Sequence, residues 1–141
     1  SIDSNHLVST GVIGSGQCGA SGPEYEALHA LAAVDVCSFH DYSAAQPMPG
    51  DVFNGLQLRL TQCGGLNKPL IVGEMGRRPQ TAGGTIATRA AIFGAQFAAQ
   101  YGAGVDGILL WGWRNADEGG SARLDYDIGP GDPALVHVRA Y

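Results

Sequence analysis

Residues 68–76 read "KPLIVGEMG". Leu70, Ile71 and Val72 form a run suited to a strand covered on both faces, as in a parallel sheet. The run ends on Gly73-Glu74-Met75-Gly76. Glutamate is rarely buried without a partner. A carboxylate at the last position of an apolar strand, with a glycine on each side, is therefore placed there for a purpose. In parallel α/β folds the carboxyl ends of the strands carry the chemistry.

Working outward, three further runs have the same character. They are "HLVSTGVIG" (6–14), "VDVCSFH" (34–40) and "VDGILLWGW" (105–113), alongside "PLIVGE" (69–74). None alternates cleanly between apolar and polar. Helical patterns lie between them. "PEYEALHALA" (23–32) opens on a proline suited to a first turn. "DVFNGLQLRLTQC" (51–63) has Asp51 as a cap, then Val52, Leu56 and Leu60 on one face. Residues 85–102 carry a stripe of Ile92, Phe93, Phe97 and Tyr101, with Gly102 and Gly104 as the stop. Strand starts fall about 27, 35 and 36 residues apart, the pitch of repeated βαβ units. The expected fold is α/β: four βα units with parallel strands in one domain of residues 1–141, either half of the eight that close a TIM barrel or a small open sheet with helices on both faces, a choice that depends on the strand ends and falls to the half-barrel on the set below.

Composition agrees. Of the 141 residues 15% are charged and 22 are glycine, which suits a loop-rich globular chain. The net charge of −5 gives a nucleic acid or an anionic membrane no electrostatic reason to bind. No apolar run approaches the roughly 18 residues of a membrane helix. The chain starts at Ser1 with no signal segment ahead of it, which reads as a processed or truncated product. Three cysteines, Cys18, Cys37 and Cys63, are either buried small apolar groups or one disulfide plus one thiol. A disulfide implies an oxidising, secreted setting. Cys37 is expected to be buried. If a bridge forms, Cys18–Cys37 is the expected pair, because Cys63 ends a helix that points to the opposite edge of a barrel.

Three strand ends deliver polar or aromatic groups to one edge. "SFHDY" gives His40 and Tyr42, "GEMG" gives Glu74, and "LLWGWRN" gives Trp111, Trp113 and Asn115. Singly each has a plain structural explanation. Histidine is often satisfied in a core, tyrosine half-buried with a wet hydroxyl, tryptophan packed. Together on one edge they describe a site.

This ordered set resembles the C-terminal half of glycoside hydrolase family 5, retaining endoglucanases, mannanases and relatives on an eight-stranded βα barrel. His40-Asp41-Tyr42 matches the His-x-Tyr motif that ends the family's sixth strand. Gly73-Glu74-Met75-Gly76 matches the nucleophile setting of the seventh. Trp111 matches the tryptophan of the eighth that stacks on the sugar. His40 to Glu74 is 34 residues and Glu74 to Trp111 is 37. The resemblance implies Glu74 as nucleophile, Tyr42 as a hydrogen-bond donor to it, His40 in the same network, and a sugar surface from Trp111, Trp113 and Asn115. It implies no metal and no cofactor. The substrate is a β-linked oligo- or polysaccharide, a β-1,4-glucan or mannan.

Retaining hydrolysis needs two carboxyl groups about 5–5.5 Å apart. The family's acid/base glutamate, on strand four, has no counterpart in this sequence. Glu24 and Glu26 fall in the first helical pattern, Asp41 points away from its neighbours, and Asp117 and Glu118 follow the last strand. The expectation is a chain that is inactive without an N-terminal half. It would not be a stable monomer, pairing either with that half or with a second copy. The alternative is a non-catalytic carbohydrate-binding module using the same aromatic edge. A flavodoxin-like sheet with "GSGQCG" (14–19) as a phosphate turn lacks the spacing of a dinucleotide or P-loop motif.

Overall fold

The computed structural model describes residues 5–43, 46–114 and 125–141. The order is α1 (Pro23–His29), β1 (Cys37–Asp41), α2 (Leu56–Gly65), β2 (Leu70–Met75), a 3-10 turn (Pro79–Ala82), α3 (Ile86–Gly102), β3 (Gly107–Leu110) and α4 (Leu135–Val138). The three strands form one parallel sheet in the order β1-β2-β3. Each crossover carries a helix, as parallel pairing requires.

The expected fourth strand, at residues 6–14, does not join the sheet as a strand. Its segment runs beside β1 with a single parallel bridge, Ser9 to Val36. The Val8 carbonyl accepts from Asp35 and Val36, and that of Ile13 accepts from His40. Gly11 and Gly14 interrupt the ladder with φ of +64° and +79°, values that favour glycine. At Gly14 a Cβ would fall 2.8 Å from the Phe39 ring. The segment therefore follows β1 closely without a continuous ladder.

One face of the sheet carries the core. Cys37, Phe39, Leu70, Val72 and Met75 point to the helices and meet Leu56, Cys63, Phe93 and Phe97, all buried. On β3 Leu109 is 59% exposed, while Ile108 and Leu110 pack on the core. α2 begins later than its pattern suggests. Asp51 caps a turn, its carboxylate accepting from the Phe53 and Asn54 amides at 2.8 Å each. Val52 lies in that turn, 80% exposed, not on a helix face. α3 starts at a capping box in which Thr85 and Thr88 satisfy each other. Its buried face includes Arg89, Gln96 and Gln100 beside Phe93 and Phe97.

The cysteine pairing differs from expectation. Cys37 is buried, but it bridges to Cys63, with Cα atoms 6.4 Å apart. Cys18 is free and exposed. Cys37 is the first residue of β1, not a mid-strand residue near His40. A helix returning antiparallel to its strand ends beside that strand's start, which is where Cys63 lies. The bridge closes a separation of 26 residues, worth about 3–4 kcal/mol of chain entropy. Changing both Cys37 and Cys63 to alanine should lower unfolding stability by about that amount in denaturant titration; an unchanged midpoint would show that the bridge does not form.

Candidate active site

The alternation of β1 sorts its last residues. Cys37 and Phe39 face the helices, and so does Asp41; His40 and Tyr42 lie on the other side of the strand. β2 has a register irregularity against β1 between Phe39 and His40, so that His40 pairs with Glu74 and Asp41 with Met75. That bulge brings the carboxylate to the face of His40 and Tyr42. The Tyr42 hydroxyl donates to Glu74 Oε2 at 2.7 Å. His40 Nδ1 lies 3.4 Å from the same oxygen, an ion pair whenever the imidazole is protonated. The Glu74 side chain is 30% exposed, open enough to be reached by a ligand.

Burial, then the hydrogen bond to Glu74 and its negative charge, push the Tyr42 phenol well above its ordinary value. The phenol therefore remains a neutral donor across any working pH. Its ring meets Tyr126 edge-on, centroids 5.4 Å apart. Arg78 lies over Tyr126 at 4.9 Å and pairs with Asp125 at 3.0 Å. Tyr42, Gly76, Arg77, Arg78, Thr81 and Tyr126 line a cavity of about 320 Å³ beside this pair. A larger cavity, about 470 Å³, is bordered by Met48, Pro49, Asp51, Val52 and Leu58 and touches none of His40, Tyr42 and Glu74.

Gly76 makes this arrangement possible. A Cβ there would lie 2.5 Å from the Tyr42 ring and 2.9 Å from the Tyr126 ring. Gly76→Ala should displace Tyr42 from Glu74, because a half-exposed ring yields more readily than backbone. The expected result is a melting temperature lowered by the equivalent of about 1–3 kcal/mol together with loss of the edge-on shift of the Tyr42 ring protons in NMR. Retention of that shift would show that a side chain at position 76 does not displace Tyr42.

Trp111 follows β3, its amide donating to the Met75 carbonyl at 2.8 Å, and is 55% exposed. The Trp111–Gly112 peptide is cis. Trp113 is 58% exposed and bridges to Ile128. Asn115, Asp117 and Glu118 lie outside the described residues. Glu24 and Glu26 stand exposed on α1. Asp41 is buried against α3. Among the described residues no cluster of three or more histidine, cysteine or acidic side chains could hold a metal ion. Sequence reasoning missed Tyr126 and Arg89. Arg89 is fully buried, pairs with Asp132 at 2.6 Å, and donates to the Asp125 and Tyr126 carbonyls at 3.1 and 3.4 Å. It holds the segment that brings Tyr126 to Tyr42.

No family model matches the chain. Mannan endo-1,4-beta-mannosidase 3 of Arabidopsis thaliana is 34% identical over 138 residues, covering 79% of this chain and 33% of that protein. The fold is matched by the endo-β-1,4-mannanase of Thermotoga petrophila, with TM-score 0.68 and 20% identity over 99% of this chain and 36% of that one. A family 5 mannosidase of Rhizomucor miehei, an E301A mutant, matches with TM-score 0.65 and 14% identity over 96% of this chain and 42% of that one. The chain is similar to part of a family 5 glycoside hydrolase. This family 5-like chain spans about a third of the curated relative's length, and its parallel sheet and helices match a fragment of the barrel.

Proposed function

We propose that the chain is the C-terminal, nucleophile-bearing half of a retaining β-1,4-glycan hydrolase, acting on mannan in keeping with the names of its relatives. The observation that carries this reading is the 2.7 Å hydrogen bond from Tyr42 to a partly exposed Glu74 at a parallel strand end. Glu74 attacks the anomeric carbon and forms a glycosyl ester as the glycosidic oxygen leaves. Tyr42 orients one oxygen of the carboxylate, leaving the other free to attack, and His40 supports the same oxygen. Trp111, Trp113 and Asn115 bind sugar, the indoles through the apolar C–H faces of the rings.

Protonation of the leaving oxygen, and later activation of water, belongs to a carboxylic acid on the remainder of the barrel. The exposed Leu109 and Trp111 on the side of the sheet away from the core favour a covering partner there. We take that partner to be the N-terminal half of the same fold; a second copy would leave each Glu74 without an acid. The chain is then inactive alone and does not persist as a monomer; light scattering of a folded monomer at micromolar concentration would refute this.

The test of function is trapping with a 2-deoxy-2-fluoro mannoside bearing a dinitrophenolate leaving group, which needs no acid to depart. In the presence of the other half, mass spectrometry should find one fluoro-sugar on the peptide holding Glu74. An adduct elsewhere, or none, would overturn the assignment. The two tryptophans, both more than half exposed, favour a second reading as a non-catalytic carbohydrate-binding module. Oligosaccharide binding without trapping would select it.

A further inference from the structure

Between His40 and Tyr42 lies a carboxylate that the proposed chemistry does not use. Asp41 is 1% exposed. One of its oxygens accepts from the Ser43 amide at 3.1 Å and the Ser43 hydroxyl at 2.7 Å. The other accepts from Gln96 Nε2 at 3.0 Å and Gln100 Nε2 at 2.8 Å, both on the buried face of α3. The same amide groups reach the Gln46 and Pro47 carbonyls, at 3.5 and 3.3 Å. The Asp41 carbonyl accepts from Gly76 at 3.1 Å, directly after Glu74-Met75. One residue thus holds the end of β1, its following loop, α3 and the exit of β2.

This arrangement is a poor choice for stability alone. Gln96 Oε1 and Gln100 Oε1 are buried with no hydrogen-bond partner. A buried acceptor without a donor is a net loss that apolar side chains at these positions would avoid. What the cluster supplies instead is direction. Four donors fix a single side-chain pose, and alternation along the strand then fixes where its two neighbours point.

We propose that Asp41 is a positioning residue for the proposed reaction: clamped by Gln96 and Gln100 of α3 and by Ser43, it sets the Tyr42 hydroxyl on Glu74. The proposal rests on the reading of Glu74 as nucleophile. Asp41 touches no substrate and moves no proton. It acts through Tyr42.

The experiment is a double-mutant cycle in the chain paired with its N-terminal half, with an aryl β-mannoside as substrate. Asp41→Asn keeps the shape but replaces one acceptor oxygen by a donor facing donors. It should lower kcat by ten- to a hundredfold, the scale of a misplacement near 1 Å, with KM little changed. Tyr42→Phe should lower kcat as well. In the Tyr42→Phe background Asp41→Asn should cause little further loss, because its route is already cut. Multiplying losses would overturn the proposal and leave Glu74 standing. If Glu74→Gln is itself fully active, the reading of the site fails instead.

Ser43→Ala removes one of the four bonds nearer the surface and serves if Asp41→Asn does not fold; it should show the same direction and the same dependence on Tyr42. A second readout needs no turnover. Tetranitromethane nitrates exposed phenolates, so Tyr42 should be nitrated faster in Asp41→Asn than in the parent, and faster than in a core variant of equal melting temperature such as Val36→Ala. Equal rates in the two variants would reduce Asp41 to a structural residue and overturn the proposal.

Discussion

If the proposed reading holds, Glu74→Gln should lower mannan hydrolysis by the chain paired with an N-terminal half on the order of 10⁴-fold or more, the scale expected when a covalent nucleophile is removed. Glutamine keeps the size of the side chain and still accepts the Tyr42 hydrogen bond, so folding and KM should change little. What it lacks is a negative oxygen able to form the glycosyl ester. The identity of the lost step can be read from its rescue. With Glu74→Ala, azide can enter the vacated space and attack the anomeric carbon as the leaving group departs. A nucleophile role for Glu74 predicts an α-glycosyl azide from a β-mannoside with an activated leaving group. A β-glycosyl azide would mean that Glu74 is the acid/base, and a Glu74→Gln variant with more than a few per cent of parental kcat would remove it from catalysis altogether.

Arg89→Ala should cause the largest loss of stability of any single change on α3, about 3–5 kcal/mol. Arg89 and Asp132 are both fully buried and 2.6 Å apart. Removing the guanidinium strands the Asp132 carboxylate in the interior and frees the Asp125 and Tyr126 carbonyls. Replacing the pair together, Arg89→Met with Asp132→Leu, should recover part of the loss, since no buried charge remains, while the Asp125 and Tyr126 carbonyls and the Ala134 amide still lose their side-chain partners. Urea unfolding of the three proteins settles this. Equal stability of Arg89→Ala and the double variant would show that the stranded Asp132 carboxylate is not the source of the loss.

The alternation of strand and helix was readable because parallel strands bury both faces and so appear as unbroken apolar runs, as "PLIV" and "GILL" do. That the ends of β1, β2 and β3 share one edge follows from parallel pairing, and "SFHDY", "GEMG" and "LLWGW" all fall at such ends. The segment at 6–14 carries the same apolar signal, but two glycines in left-handed conformation cut its ladder. The Cys37–Cys63 bridge was obscured by three residues of strand boundary: reading Cys37 as mid-strand places it near the wrong edge. The polar face of α3 escaped for a different reason. Apolar periodicity marks Phe93 and Phe97, yet Arg89, Gln96 and Gln100 are buried on the same side. Buried polar partners give no hydrophobic signal, so a clamp of glutamines on an aspartate is written in the sequence like any solvated surface. Tyr126 lies in a tail of turn chemistry and reaches Tyr42 only through tertiary contacts.

The disulfide also makes residues 37–63 a covalent ring. Tension applied to the two ends of the chain passes across the sulfur atoms and never stretches what lies inside, concealing roughly 9 nm of contour at about 3.6 Å per residue. His40 and Tyr42 are inside the ring, whereas Glu74 is outside it. Under load the chain therefore comes apart along a seam that runs between the carboxylate and the two side chains that hold it. The ring stays short, carrying the histidine and the tyrosine together, and the glutamate leaves with the extending strand.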